Sequence, residues 1–298
     1  MRPPPIRMWN ARGRSLALGA QTRVMAVLNL TPDSFYPASR SPGPDALLAA
    51  AEAALAAGAD ILDLGAESTR PGAQPLAVEE ELGRLIPSLA ALRRRWPQAW
   101  ISADTRHAQV ARAALDAGAD IINDVSGLGA GGGAGGAAGD ALAAVIAAAG
   151  CGAVLMHSRG DFATMHRLPP LADVVGTVHQ DLLAITAHAA AAGIPAANIV
   201  VDPGFGFGKN GEENWTLLAG LSRLRTLGFP VLAGLSRKSF IGRVLADAPP
   251  EQRLFGTVAA VTAAVLHGAD IVRVHDVAAA RDAVRVADAV RTAGEPEQ

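Results

Sequence analysis

The sequence predicts an α/β fold, a single (β/α)8 TIM barrel with a short N-terminal hairpin or plug. Three observations carry this. Eight short apolar runs rich in β-branched or aliphatic residues recur along the chain, each closes on a polar residue or glycine, and a helix-like segment follows every one. Runs this short and apolar fit a parallel sheet buried on both faces. In a closed barrel the carboxyl ends of the strands converge on one rim, so residues distant in sequence become neighbours there. The residues that end the runs are therefore the candidate site.

Taken in order, Met1–Arg23 precede the first run and are read as the hairpin or plug, at the end of the barrel opposite the site. The barrel proper spans about residues 24–290 of one 298-residue domain. The first four runs are Val24–Leu28 before Asn29, Ile61–Leu64 before Gly65 and Glu67, Trp100–Ala103 before Asp104, and Ile121–Ile122 before Asn123 and Asp124. The last four are Ala153–Met156 before His157, Ile199–Val201 before Asp202, Val231–Leu235 before Ser236, and Ile271–Val274 before His275. Between them Ala46–Ala57, Gln109–Ala117, Val174–Ala192 and Gly256–Leu266 are alanine- and leucine-rich and long enough for helices. One phrase punctuates them: Ala57-Gly58-Ala59-Asp60-Ile61, Ala117-Gly118-Ala119-Asp120-Ile121 and His267-Gly268-Ala269-Asp270-Ile271. Glycine just past a helix takes the left-handed cap conformation, and the aliphatic run then enters the sheet.

Gly256–His267 is apolar nearly all round. One reading places it at the subunit interface of a homodimer; the other covers it with its own neighbours. Gly127–Gly139 is read as a flexible Gly/Ala-rich loop.

Composition narrows the function classes. Half of the residues are apolar and 18% are charged, which excludes a largely disordered chain. A formal charge of −2 gives no overall attraction to nucleic acid or an anionic membrane, and Arg93, Arg94 and Arg95 are read as a solvated helix end. Cys151 is the only cysteine, so no intrachain disulfide or cysteine metal site is available, which suits a reducing cytoplasm. Leu16–Ala20 is too short for a signal core, and Ala141–Met156, broken by Gly150 and Gly152, falls short of a membrane span.

Two glycine-rich stretches imitate nucleotide loops. Gly127-Leu128-Gly129-Ala130-Gly131-Gly132 matches GxGxxG by composition alone, with no acidic residue firmly placed after a second strand. Gly204-Phe205-Gly206-Phe207-Gly208-Lys209 lacks the GxxxxGK spacing, and Asn210 stands where a metal-binding Ser or Thr is needed. His157 and His166 have no third ligand at a useful spacing for zinc.

The run ends offer Asp104, Asn123 and Asp202 for the donor–acceptor edge of a heterocycle, and Arg70, Lys238, Arg273 and His275 for an anion, beside a loop opened by Asn29. That pairing points to a heteroaromatic substrate bearing phosphate. Each residue alone has a bland alternative: Asp104 as an N-cap, Asp202-Pro203-Gly204 as a turn, Lys238 and Arg273 as surface charge, Met156 and Phe207 as core. The ordered set is what favours a site.

That set resembles a known family. Asn29-Leu30-Thr31-Pro32-Asp33-Ser34-Phe35, Glu67-Ser68-Thr69-Arg70-Pro71-Gly72, Asp104-Thr105, Ile122-Asn123-Asp124 and Leu155-Met156-His157 look like the opening signatures of the dihydropteroate synthases. Asp202-Pro203-Gly204-Phe205-Gly206-Phe207-Gly208-Lys209, Ser236-Arg237-Lys238-Ser239 and Arg273-Val274-His275-Asp276-Val277 complete the series in the family's order. The resemblance implies an alkyl-group transferase that joins 6-hydroxymethyl-7,8-dihydropterin pyrophosphate to p-aminobenzoate in folate biosynthesis. It further implies that Asp104, Asn123, Asp202 and Lys238 hold the pterin, with Met156 on its ring. Asn29 would sit on a Mg²⁺ bridging the pyrophosphate, which Arg70, Arg273 and His275 bind. Thr69, Phe207 and Ser239 would form the aminobenzoate pocket, and Asn29, Thr69, Arg70 and Lys238 are the expected catalytic set. The pattern departs from the family at Tyr36-Pro37-Ala38-Ser39-Arg40, at Ser158-Arg159 after His157, and in the Gly127–Gly139 tract. Two rivals remain open: a methyltetrahydrofolate-dependent methyltransferase, which has no pyrophosphate to hold, and a non-catalytic pterin-binding paralogue.

Overall fold

In the computed structural model the residues described are 6–30, 44–67, 76–129, 136–160 and 164–293. Strands β1 (Arg7–Ala11) and β2 (Arg14–Leu18) form the antiparallel N-terminal hairpin, turning at Arg12 and Gly13. Eight parallel strands follow. They are β3 (Arg23–Asn29), β4 (Ile61–Gly65), β5 (Trp100–Asp104), β6 (Ile121–Asp124), β7 (Gly152–Met156), β8 (Ile199–Asp202), β9 (Leu232–Ala233) and β10 (Ile271–Val274). Their order is β8-β7-β6-β5-β4-β3-β10-β9, and the bridge Val201↔Val231, with Val201 N donating to Pro230 O at 2.9 Å, draws the two ends together. The sheet is the expected barrel.

Around it run α1 (Pro44–Ala56), α2 (Val78–Arg95), α3 (Ala108–Asp116), α4 (Ala137–Ala149) and α5 (Val174–Ala191). They are joined by α6 (Gly211–Ala219), α7 (Ser239–Val244), α8 (Leu254–Leu266) and α9 (Val277–Ala293). All eight runs read from the sequence coincide with strands. Four strands extend one residue further, so Asn29, Gly65, Asp104 and Asp202 are their last members rather than the first loop residues. Val231–Leu235 is the exception: only Leu232 and Ala233 join a ladder, because the chain leaves the sheet for a turn at Arg237, whose φ is 59°.

The repeated Gly-Ala-Asp-Ile phrase acts as a joint. Gly58, Gly118 and Gly268 have φ of 93°, 106° and 99°, as the left-handed cap requires. The aspartate after each then accepts a backbone N–H near the start of the preceding strand: Asp60 from Val24 at 2.8 Å, Asp120 from Ile101 at 3.0 Å, Asp270 from Val231 at 2.9 Å. Arg93 reaches across to this joint, 2.7 Å from Asp120. It is thus no solvated helix end, although Arg94 and Arg95 beside it are exposed.

The hairpin closes the barrel floor. Trp9, Leu16 and Leu18 pack on Met25, Ile61, Ile121, Val154, Val200, Leu232 and Ile271, which lie in the first halves or middles of their strands. Trp9 is 1% exposed and donates its indole N–H to Asn198 O at 2.8 Å, and Gly152 leaves room for its ring. Truncating such a side chain to alanine costs about 3–5 kcal/mol. The site is thereby confined to the other rim.

Of the Gly127–Gly139 tract read as a flexible loop, residues 130–135 lie outside the described residues, and the two ends are packed. Asp124 accepts from Ser126 N at 2.8 Å and from Leu128 N at 2.5 Å, fixing its start, and α4 begins at Ala137. A side chain at Gly139 would overlap Leu128 O, so α4 docks directly on that turn.

Candidate active site

Parallel register sets the first row of the site. Asn29 pairs with Gly65, Gly65 with Asp104, and Asp104 with Asn123, so four adjacent strands present these residues at one level. A Cβ at Gly65 would lie 3.3 Å from the Cβ of Asp104, so a side chain there would push on its neighbour. Asp202 ends β8 opposite Met156, which ends β7.

Arg273 ties the barrel together across its axis. Its Nη2 donates to Asp104 at 2.7 Å and its Nε to Asp63 at 2.6 Å, while Asn123 also donates to Asp63, at 3.2 Å. Asp63 is fully buried, and its Oδ1 has no hydrogen-bond partner. Sequence reasoning missed it because it sits inside a run rather than at its end. A carboxylate within Ile61-Leu62-Asp63-Leu64 was the available signal: a charge buried in a strand must be paired.

Charge and burial compete here. Burial pushes the Asp104 carboxyl up, to about 8, against the pull of Arg273; Asp63, Glu81 and Asp124 add to the rise. Asp202 is likewise raised by burial, with Lys238 opposing. Lys238 is lowered by burial to about 8, with Asp202 holding it up. Burial works against the Arg273 guanidinium too, yet Asp63 and Asp104 keep it above its ordinary value.

The turn after β8 is wrapped around cations. Lys238 donates to Phe205 O, and its ammonium lies 4.6 Å from the centre of the Phe207 ring. Arg159 donates to Gly208 O at 2.9 Å, and Lys209 to Gly204 O at 2.8 Å and Phe207 O at 3.0 Å. Gly204, Gly206 and Gly208 have φ of 67°, 81° and 68°, the conformation that turns these carbonyls inward. Lys209, 7% exposed, is thus spent on the protein's own carbonyls, which explains physically why the stretch is no phosphate loop.

On the last strands, Ser236 sits 3.0 Å from His275 Nδ1 and accepts from His275 N at 3.2 Å, a positioning contact the sequence reading did not include. Arg237 pairs with Asp276 at 2.6 Å, and Ser239 is the exposed first residue of α7. Thr69 and Arg70 lie outside the described residues. Glu67, next to them, accepts from both Arg106 Nε and Nη2 at 3.1 Å and from Leu76 N at 3.2 Å. Asp104, Asn123 and Arg273 are thus joined through Asp63, and Asp202, Lys238 and Phe207 gather at the turn after β8. Asn29 shares the first row, and Ser236 braces His275 nearby.

An open rim of carboxylates, amides and cations can hold a flat nitrogen-rich ring and an anion together. Among the described residues no group of three or more His, Cys, Asp or Glu could hold a metal ion. The oxygen of Asn29 is a hard donor fit to serve a Mg²⁺ that takes its remaining ligands from phosphate and water.

Known proteins resemble this chain in sequence and fold. Residues 25–275 match the family described as "Pterin binding enzyme". The dihydropteroate synthase of Synechocystis sp. is 42% identical over 278 residues, 93% of this chain and 92% of its own. The Xanthomonas albilineans dihydropteroate synthase solved with 4-aminobenzoic acid aligns with a TM-score of 0.86 at 42% identity, covering 98% of this chain and 100% of its own. The Burkholderia cenocepacia dihydropteroate synthase complexed with 7,8-dihydropteroate gives 0.84 at 40% identity, covering 98% and 99%.

Proposed function

This chain belongs to the pterin binding enzyme family, and from that premise we propose that it acts as a dihydropteroate synthase. It is a transferase of folate synthesis, joining 6-hydroxymethyl-7,8-dihydropterin pyrophosphate to p-aminobenzoate with release of pyrophosphate. The observation that carries the reading is the junction of Asp104, Asn123 and Arg273 at one rim, in a chain about 40% identical to synthases over nearly its whole length.

Substitution at the exocyclic methylene breaks a carbon–oxygen bond and forms a carbon–nitrogen bond. As the bond to oxygen breaks, positive charge grows on a carbon conjugated with the ring and negative charge on pyrophosphate. Asp104, Asn123 and Asp202 bind the pterin edge, Lys238 and Met156 complete its seat, and the two carboxyl groups favour the developing cation. Arg273 commits Nε and Nη2 to carboxylates, which leaves Nη1 for the leaving group; His275 and Arg70 serve the same end. The attacking aryl amine is neutral at neutral pH and sheds its proton after the new bond forms, so no strong base is required. Thr69, Phe207 and Ser239 flank it. When bound at Asn29, Mg²⁺ neutralises pyrophosphate charge.

A homodimer fits the surface. Phe255 on α8 is 84% exposed, and Val286 and Val290 of α9 are 63% and 58% exposed. A second copy covering such side chains would remove apolar surface from water. Location in the cytoplasm fits the lone, buried Cys151; among the described residues no helix is long and apolar enough to cross a membrane.

The deciding experiment incubates purified protein with the pterin pyrophosphate, p-aminobenzoate and Mg²⁺ and measures dihydropteroate and pyrophosphate. Equal amounts of both support the synthase. Pterin binding without either product favours the paralogue.

A further inference from the structure

Behind the turn that carries Phe207 runs a chain of three side chains from the solvent face of α5 inwards. His157 Nε2 lies 3.0 Å from Asp181 Oδ2, and His157 Nδ1 lies 2.8 Å from Lys209 Nζ. An ammonium has three protons, and here they meet three acceptors: Nδ1 of His157, Gly204 O and Phe207 O. With Lys209 charged, that count corresponds to the neutral imidazole with its proton on Nε2, donated to Asp181; burial lowers Lys209 itself to about 7. Burial keeps His157 in this state by lowering it to about 4, with Lys209 adding to the fall and Asp181 resisting it. His157 and Lys209 are 1% and 7% exposed, whereas the Asp181 side chain is 50% exposed.

The two carbonyls held by Lys209 are the ends of one turn. Phe207 N donates to Gly204 O at 3.1 Å, so the ammonium grips that turn at both ends and sets where the Phe207 ring stands. Asp202 is anchored by its backbone in the sheet, and its carboxylate accepts from Gly204 N of the turn at 2.7 Å. It ends the β8 ladder opposite Met156, and its carbonyl accepts from His157 N at 2.8 Å. Loosening Lys209 therefore moves the Phe207 end of the turn most, while the strand keeps the Asp202 backbone in place.

We propose that Asp181, His157 and Lys209 form a positioning chain for the aminobenzoate half of the site, fixing the turn that presents Phe207. The inference rests on the synthase reading. None of the three is needed to contact substrate; they act through the turn.

Steady-state kinetics of the full chain, with each substrate varied in turn, tests it. Asp181→Ala leaves His157 without its acceptor, and KM for p-aminobenzoate is expected to rise about fivefold while kcat and the KM for pterin pyrophosphate stay within about twofold. Asp181→Asn keeps an acceptor oxygen in the same place and restores the KM for p-aminobenzoate to within about twofold of the parent value. Lys209→Met gives a larger rise with the same selectivity; where it does not fold, the Asp181 pair decides. An unchanged p-aminobenzoate KM in Asp181→Ala, an equal rise for both substrates, or no recovery in Asp181→Asn overturns the proposal. Parent protein that makes no product overturns the synthase reading instead.

Discussion

Glu81, in the first turn of α2, is 1% exposed, yet neither carboxyl oxygen reaches a partner at hydrogen-bonding geometry. Burial raises it to about 7 from 4.5; Thr105 and Arg106 pull back and Glu67 adds to the rise, with His107 Nε2 3.9 Å away. The folded state thus holds a proton that the unfolded chain has released between those two values. Stability falls as pH rises through that window and stays lower above it. A shift of about 2.5 units corresponds to about 3 kcal/mol, at about 1.4 kcal/mol per unit. Glu81→Gln imitates the protonated acid at every pH. Urea unfolding of parent and variant at pH 5 and pH 8 reads the effect; the variant also removes the charge that helps raise Asp104, which acts in the same direction. The variant is expected to be nearly equal to the parent at pH 5 and about 2–3 kcal/mol more stable at pH 8. Equal differences at the two pH values, or a variant weaker at pH 8, would refute the reasoning.

Asp202→Asn should lower kcat/KM for the pterin pyrophosphate more than about tenfold while the melting temperature stays near that of the parent; unchanged kinetics remove the residue from the mechanism. Chelation of Mg²⁺ should abolish product formation and added MgCl₂ restore it, whereas full turnover in chelator contradicts the role given to Asn29. Gly204→Ala forces a side chain into a φ of 67° and onto the carbonyl oxygen of His157, so it should cost about 2 kcal/mol or more and disable the turn; a variant with parental stability and KM values argues against that packing. Phe255→Glu should shift a dimer to monomer in sedimentation, and an unaltered assembly excludes that face as the interface.

The barrel was legible because buried parallel strands leave short apolar runs whatever the loops contain, and the residues that end them were legible as a rim. Asn29, Asp104, Asn123 and Asp202 follow from that rule alone. Asp63 does not: its charge inside an apolar run signals a buried partner, but only the register reveals that the partners are Arg273 and Asn123 at the rim. Lys209 was legible as a lysine in a glycine-rich stretch, but its partners are carbonyls of its own turn, which only the backbone path of Gly204, Gly206 and Gly208 reveals. Arg93 was misread for a related reason: three arginines at a helix end look alike until one of them finds Asp120 in the next joint.

The aspartate joints at the foot of the strands divide labour within the protein. Register is settled where Asp60, Asp120 and Asp270 latch neighbouring strands, on the side that never meets a substrate. The opposite loops are thereby spared the setting of register, and their own contacts, such as Lys209 with the carbonyls of Gly204 and Phe207, shape the rim. Altered wording there can tune which molecule is accepted while the strand register beneath stays set.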